Sequence, residues 1–439
     1  MFNLISRRGM LAASAAFLLA ASACQSIPTT VDPSTSSIVP GDAAALGFDP
    51  AKLDAIRTAL NADVQSGKIP GAYLLIGRKG QVAFQQGFGV QGPAQTTPMS
   101  DETIFRIFSM TKPVVAVTAM TLVEEGKLNL DAPVSDYLPA FKDIKVWQKE
   151  GDPKPATKPM LVRHLMSHTS GIIYSFIQPQ LPISKAWVAG GEQRQDLNAK
   201  DCDDLLGPVL QRQDLNAKDW SEQVVAKLPM AAEPGDAWNY SQGLDVLGGV
   251  IEKITGQTLE QAIRERVTGP LGMTDTGFIQ PKAKAPRFAQ SQKQDALYYD
   301  YTMDRVLFAG GGGLSSTAED YLRFVHMLAN DGEYRGVRIL KPETVDLMMI
   351  DQTTAEVRGK GLFFPGAGMG FGLGVSLVID DTKTKTTGNG TFSWNGIAGT
   401  EWWYDPKNDL FMVFLIQDRA LLSEYQRKNR TWIYDALKK

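Results

Sequence analysis

The chain has 439 residues, two to three times the usual length of one domain, and with 43% hydrophobic and 21% charged residues it has the composition of an ordinary globular protein. Forty-five basic against 48 acidic residues give a net charge of −3 with no long basic run, which argues against nucleic acid as a partner. Three histidines and two cysteines leave little material for a zinc ribbon, an iron–sulfur site or a disulfide scaffold.

The first segment reads as an export signal over residues 1–23. Arg7 and Arg8 precede an uncharged stretch that ends in Ala21-Ser22-Ala23-Cys24, the charged, apolar, small-residue order of a secretory leader, too short to span a bilayer comfortably. Ser6-Arg7-Arg8 fits twin-arginine export as well as the general route. Cys24 has two readings: the anchor of a lipoprotein, with Ala21 where leucine is usual, or the residue following ordinary cleavage after Ala23. The expected location is therefore periplasmic, either free or held to the membrane by lipid on Cys24. Cys202 is then unpaired and structural. Residues 24–45, rich in Ser, Thr, Pro and Asp, read as a flexible tether.

A folded unit is expected over 46–439. Asp49-Pro50 supplies a cap and a first-turn proline, and Leu53, Ile56, Leu60 and Val64 recur at helical spacing to about Gly67. Strands follow over 72–76 and 82–88, joined across Arg78-Lys79-Gly80. In the middle of the chain helices are expected over 113–125, 162–167, 220–227, 244–255, 259–267 and 318–330. Toward the end, Met369, Phe371, Leu373, Val375, Leu377 and Ile379 alternate as along one strand. Two more strands, 400–404 and 410–416, flank the turn Asp405-Pro406-Lys407-Asn408, and a helix closes the chain over 421–437. Strands at both ends with helices between imply an α/β (α+β) fold. One antiparallel sheet is built from 46–112 and 305–439, a mostly helical part from 113–304 is inserted, and an active site lies between them. An exact repeat, Gln193–Asp201 and Gln211–Asp219, reads as a duplicated surface insertion, with a lid over the cleft as the sharper alternative.

Phe108-Ser109-Met110-Thr111-Lys112-Pro113 holds the only Ser-x-x-Lys of the chain, at the start of an apolar helix. Residues three apart share a helix face, so the Lys112 amine can reach the Ser109 hydroxyl, and burial would lower the amine's pKa enough to make it a base. By itself the tetrapeptide is a weak signal. Two further segments strengthen it: Glu233-Pro234-Gly235-Asp236-Ala237-Trp238-Asn239-Tyr240-Ser241-Gln242-Gly243, a turn-rich stretch that presents Tyr240 before a helix, and Gly390-Thr391-Phe392-Ser393-Trp394-Asn395-Gly396, ahead of a strand of the C-terminal sheet.

With these three segments in order, the sequence resembles the serine β-lactamase and penicillin-binding-protein superfamily, most closely its class C β-lactamase-like (family VIII) carboxylesterases. His164-Leu165-Met166-Ser167-His168-Thr169-Ser170-Gly171, Gly311-Gly312-Gly313-Leu314-Ser315-Ser316-Thr317 and Gly399-Thr400 support the match, which spans about 50–418. The resemblance implies a cofactor-free acyl-transfer enzyme acting on a small ester or amide. Ser109 is its nucleophile, Lys112 the base or proton shuttle, and Tyr240 a second base whose phenolate the lysine favours. The amides of Ser109 and Ile397 form the oxyanion hole, and Gln242, Trp394, Asn395 and Gly396 bind substrate.

Where β-lactamases carry Lys-Thr-Gly this chain has Trp394-Asn395-Gly396, and Lys385-Thr386-Thr387-Gly388 is wrongly spaced to replace it. Losing that cation costs an anionic β-lactam a charge-assisted contact of about 1.5–3 kcal/mol and a neutral ester nothing, so ester cleavage is favoured. A D-amino-acid peptidase or carboxypeptidase, a weak β-lactamase, and a non-catalytic envelope binding protein are the other readings. His164 and His168 lack the third ligand and intervening Glu of a zinc site, a triad through His168 or His326 lacks its Gly-x-Ser-x-Gly elbow, and 310–313 lacks a phosphate loop's Lys-Ser/Thr, reading instead as a turn before a helix capped by Thr317.

Overall fold

The computed structural model describes residues 30–192, 214–291, 300–384 and 387–438. The expected leader, Cys24, Cys202, the first copy of the repeat and Lys385 lie outside the described residues.

Helix α1 (Pro50–Gln65) starts where Asp49 accepts the Ala51 amide at 3.0 Å, and it buries Leu53, Ile56 and Leu60. Strands β1 (Gly71–Arg78) and β2 (Gln81–Gly89) are joined by the two residues Lys79 and Gly80, both at positive φ (54° and 71°), as a tight hairpin requires. Helices α2 (Thr111–Glu124), α3 (Val162–Met166), α4 (Ala217–Gln223), α5 (Gly243–Thr255) and α6 (Ala318–Ala329) follow. At the start of α6 the Thr317 hydroxyl accepts the Asp320 amide at 3.2 Å, the cap expected from the sequence. The chain ends with β3 (Met369–Phe371), β4 (Ser376–Val378), β5 (Phe392–Asn395), β6 (Glu401–Asp405), β7 (Leu410–Ile416) and α7 (Leu422–Ala436).

These strands make one antiparallel sheet in the order β3-β4-β5-β6-β7-β1-β2, so the last strand lies against the first, with Ala72 opposite Ile416 and Arg78 opposite Leu410. Because side chains alternate along a strand, the central pair feeds two cores. Ala72, Leu74, Ile76, Met412, Phe414 and Ile416 face α1 and α7; Tyr73, Leu75, Phe411, Val413 and Leu415 face the larger core that contains α2, α5 and α6. Helix α2 is apolar on all sides and is buried from Thr111 to Leu122, as suits a helix enclosed between sheet and helical part.

Three expectations need correcting, and one needs extending. The alternating run 369–379 is not one strand. It folds back at Gly372-Leu373-Gly374, where Gly374 has φ 88° and the Gly372 amide donates to Val375 O at 2.9 Å, so β3 and β4 pair with Met369 opposite Val378. Residues 392–395 precede a strand, β6, as expected, but are themselves a strand of the sheet as well. Residues 31–41 are not a free tether. Val31 is buried in the larger core with Ile38 packed against it, and hydrogen bonds hold the segment: Val31 N–H to Pro270 O (2.7 Å), Ser37 N–H to Glu319 Oε1 (2.7 Å), Val82 N–H to Val39 O (2.8 Å), and the buried Arg323 guanidinium to Thr35 O (2.7 Å). Finally, the described end of the second repeat copy is not a surface insertion. Asn216 accepts the Asp219 amide at 2.7 Å and caps α4, whose Ala217 and Trp220 are buried against α5.

Candidate active site

Ser109 sits in a tight turn (Phe108–Met110) that runs directly into α2. Phe108 has φ 43°, a conformation that costs a bulky residue about 1–3 kcal/mol and persists only where the surroundings over-determine it. Here they do. The Phe108 ring packs with Ile104, Phe288, Tyr301, Ala309 and Ala398, Tyr321 donates to Met110 O (2.9 Å), and Thr111 Oγ1 accepts the Leu314 amide (3.0 Å).

Lys112 follows one turn later with no exposed surface. Its ammonium nitrogen reaches Ser109 Oγ at 3.1 Å, Tyr174 Oη at 3.1 Å and Gly311 O at 2.5 Å, and lies 4.6 Å from the centre of the Tyr240 ring. Behind it, Asp245 on α5 accepts from the Gly311 amide (2.8 Å) and the Tyr174 hydroxyl (3.3 Å). One buried carboxylate thus holds two of the three groups that hold the lysine. Glycine is required at 311, because a Cβ there would come within 2.3 Å of both Asp245 Oδ2 and Tyr174 Oη.

Burial pulls the Lys112 amine down to about 7, and the Asp245 charge only partly restores it; burial likewise raises Asp245, with Lys112 opposing. Near neutral pH a sizeable share of Lys112 is therefore a free amine within hydrogen-bonding distance of the serine. Tyr240 also bears on the Ser109 hydroxyl. Its phenol is pushed up, first by desolvation, while the Ser109 contact pulls the other way. The expected resting phenolate is thus corrected: desolvation, with the Asp245 charge adding to it, outweighs the hydrogen bonds with Ser109 and Trp394, and Tyr240 holds its proton.

The third segment meets the serine through Gly396. A Cβ at that position would stand 2.4 Å from Ile107 O and 2.3 Å from Thr400 Oγ1, so only glycine lets the β5–β6 connection come this close to the turn before Ser109. The consequence is that Ile397 and Ser109 line one cavity of about 370 Å³, together with Tyr240, Gln242, Trp394 and Asn395. Gly396 is behind that wall, a spacer rather than a lining residue. Phe176, Ile177, Phe364 and Leu422 supply apolar surface, and Arg419 stands exposed at the rim.

The histidines serve elsewhere. His164 Nδ1 accepts the Leu161 amide at 3.2 Å at the start of α3. His168, at φ 58° beyond the end of that helix, contacts Ser241 Oγ through Nδ1 (3.1 Å) and packs edge-on against Tyr240; His326 packs on Phe411.

Sequence reasoning missed Tyr174, Asp245, Glu192 and Arg419 at this site. Asp245 did carry a signal: it is an acid among Leu244, Val246 and Leu247 on a helix that is buried from Gly243 to Glu252. Gly311 was visible as a turn, but its carbonyl's role toward Lys112 was not.

A hydroxyl held by a partly neutral amine in a largely apolar cleft, on this sheet-and-helix framework, defines a serine hydrolase. A family profile described as Beta-lactamase matches residues 56–434, and the chain belongs to that family. Protein Rv1367c of Mycobacterium tuberculosis is 37% identical over 385 residues, 83% of this chain and 90% of that one. Esterase EstB of Burkholderia gladioli is 30% identical over 415 residues, 88% and 93% of the two chains. Among solved structures, EstCE1, described as a hydrolase with promiscuous acyltransferase activity, matches with a TM-score of 0.71 at 26% identity over 89% of this chain and 99% of its own.

Proposed function

We propose that this protein is an exported carboxylesterase that works through an acyl-enzyme on Ser109. The observation that carries the reading is the 3.1 Å contact between the Ser109 hydroxyl and an amine whose pKa burial has brought to about 7. Neutral Lys112 takes the Ser109 proton as Oγ attacks the ester carbonyl carbon. The amides of Ser109 and Ile397 receive the oxyanion. As the tetrahedral adduct collapses, the neutral Tyr240 phenol protonates the departing alkoxide and is itself reprotonated from Lys112. Water then repeats the sequence on the acyl-enzyme and releases the acid. Gln242, Trp394 and Asn395 contact the substrate. The Arg7-Arg8 leader and Ala21-Ser22-Ala23-Cys24 support export, with Cys24 as the lipid-bearing residue.

The largely apolar lining favours neutral esters over anionic β-lactams. The relation to a hydrolase with promiscuous acyltransferase activity supports a second outcome at the same intermediate, in which an alcohol rather than water accepts the acyl group. The test compares p-nitrophenyl butyrate, nitrocefin and a D-Ala-D-Ala peptide on wild-type protein and S109A. The proposal expects the butyrate to be cleaved best and S109A to lose at least a thousandfold in rate. Full activity in S109A, or preference for either amide, overturns it.

A further inference from the structure

Two acceptors on the wall of the Ser109 cavity are buried and bond nothing among the described residues. Glu192, 1% exposed, accepts the Ser175 amide on Oε1 at 3.2 Å, whereas Oε2 has no partner. Gln242, 2% exposed, likewise has an unpartnered Oε1.

These positions are well anchored. The Glu192 amide donates to Trp187 O at 3.1 Å, and Trp187 is fully buried with its indole N–H on Pro229 O at 2.7 Å. Gln242 opens α5, its carbonyl accepting the amides of Asp245 and Val246 at 3.0 and 3.1 Å. Buried acceptors in a folded protein are nearly always paired, and two left open on one cavity, beside the apolar Phe176 and Ile177, are sites for donors that a ligand brings. Burial pushes Glu192 up to about 7, with hydrogen bonds from Ser175 opposing the rise and Asp245 adding to it.

We infer that the substrate carries a hydrogen-bond-donating group, a hydroxyl or a protonated amine, that Glu192 and Gln242 hold while the ester bond lies at Ser109. This deepens the esterase reading and rests on it. A site built to pair a polar group rejects the analogue that lacks it, because its own groups are then left unpaired; a site that is only apolar tells the two apart weakly and in the opposite direction.

The experiment uses two matched sets of esters followed by pH-stat. One is methyl heptanoate, methyl 6-hydroxyhexanoate and methyl 6-aminohexanoate; the other is the butyrates of 1-heptanol, 1,6-hexanediol and 6-amino-1-hexanol. In at least one set a donor-bearing ester is expected to exceed its alkyl counterpart in kcat/KM by about tenfold or more, and the favoured member identifies hydroxyl or ammonium. Glu192→Leu and Gln242→Leu are each expected to bring that ratio toward one. Fluorophosphonate labelling of Ser109 checks that each variant is folded, and Glu192→Gln takes the place of any leucine variant that fails to label. Wild-type protein that labels and cleaves esters but prefers the alkyl member in both sets overturns the inference alone, as does a preference unchanged in every labelled variant. Wild-type protein that neither labels nor cleaves any ester overturns the esterase reading and this inference with it.

Discussion

Asp245→Asn isolates the charge behind Lys112. The substitution keeps the shape of the side chain, but one of its two acceptor atoms becomes an amino group, so either the Gly311 amide (2.8 Å) or the Tyr174 hydroxyl (3.3 Å) loses its partner. A bond to a charged acceptor contributes about 1.5–3 kcal/mol, which places the loss in Lys112 positioning, and hence in the plateau rate, at tenfold or more. The charge acts in the opposite sense on the pH profile. Asp245 raises the Lys112 pKa toward its ordinary value, so its removal lets burial lower it further from about 7. An opposite charge at this range shifts a pKa by about one to three units. At pH 6 roughly a tenth of the wild-type amine is neutral, and a shift of about one unit raises that to about half. The p-nitrophenol burst of single-turnover acylation, measured from pH 5 to 9, should therefore show an acid limb displaced to lower pH on a reduced plateau. An acid limb that stays in place or moves upward refutes the assignment of Lys112 as the titrating base.

Tyr240→Phe should lower kcat/KM, which reports acylation, at least a hundredfold for alkyl esters and much less for p-nitrophenyl esters, whose leaving group needs no proton; equal losses in kcat/KM on both would contradict a general-acid role. Gly396→Ala places a methyl group 2.4 Å from Ile107 O and 2.3 Å from Thr400 Oγ1, and is expected to cost about 1–3 kcal/mol in urea denaturation while also lowering kcat. Wild-type stability and rate in that variant would show that the β5–β6 connection need not approach the Ser109 turn. Tyr174→Phe removes one of the Lys112 contacts and leaves a donor off Asp245, so kcat should fall about tenfold with KM little changed; a change confined to KM would place Tyr174 in substrate binding instead.

The framework was readable because its signals are local and periodic. Asp49-Pro50, the strand pair across Lys79-Gly80, the cap at Thr317 and the closing helix each follow from residue types at short spacing, and the sheet built from both chain ends follows from their order. Ser109, Lys112 and Tyr240, from two of the three segments, lie close together. What escaped is either non-local or hidden by a misleading pattern. Tyr174 and Asp245 matter through a network closed by a glycine carbonyl and amide about 65 residues or more away in the chain, which no spacing rule reports. The 369–379 run has the period of a strand, yet its glycines turn it into a hairpin. The low-hydrophobicity stretch at 31–41 is fixed by backbone hydrogen bonds to distant residues, a contribution composition does not register.

The central claim is that Ser109 becomes acylated because Lys112 takes its proton. Rapid acid quenching of the enzyme during turnover of a slow ester, followed by peptide mass spectrometry, tests this most directly in wild type and Lys112→Met. The account predicts an acyl mass on the Ser109 peptide that builds up in wild type and forms at least a thousandfold more slowly in the variant; an acyl group on another residue, or equal rates in the two proteins, would contradict it.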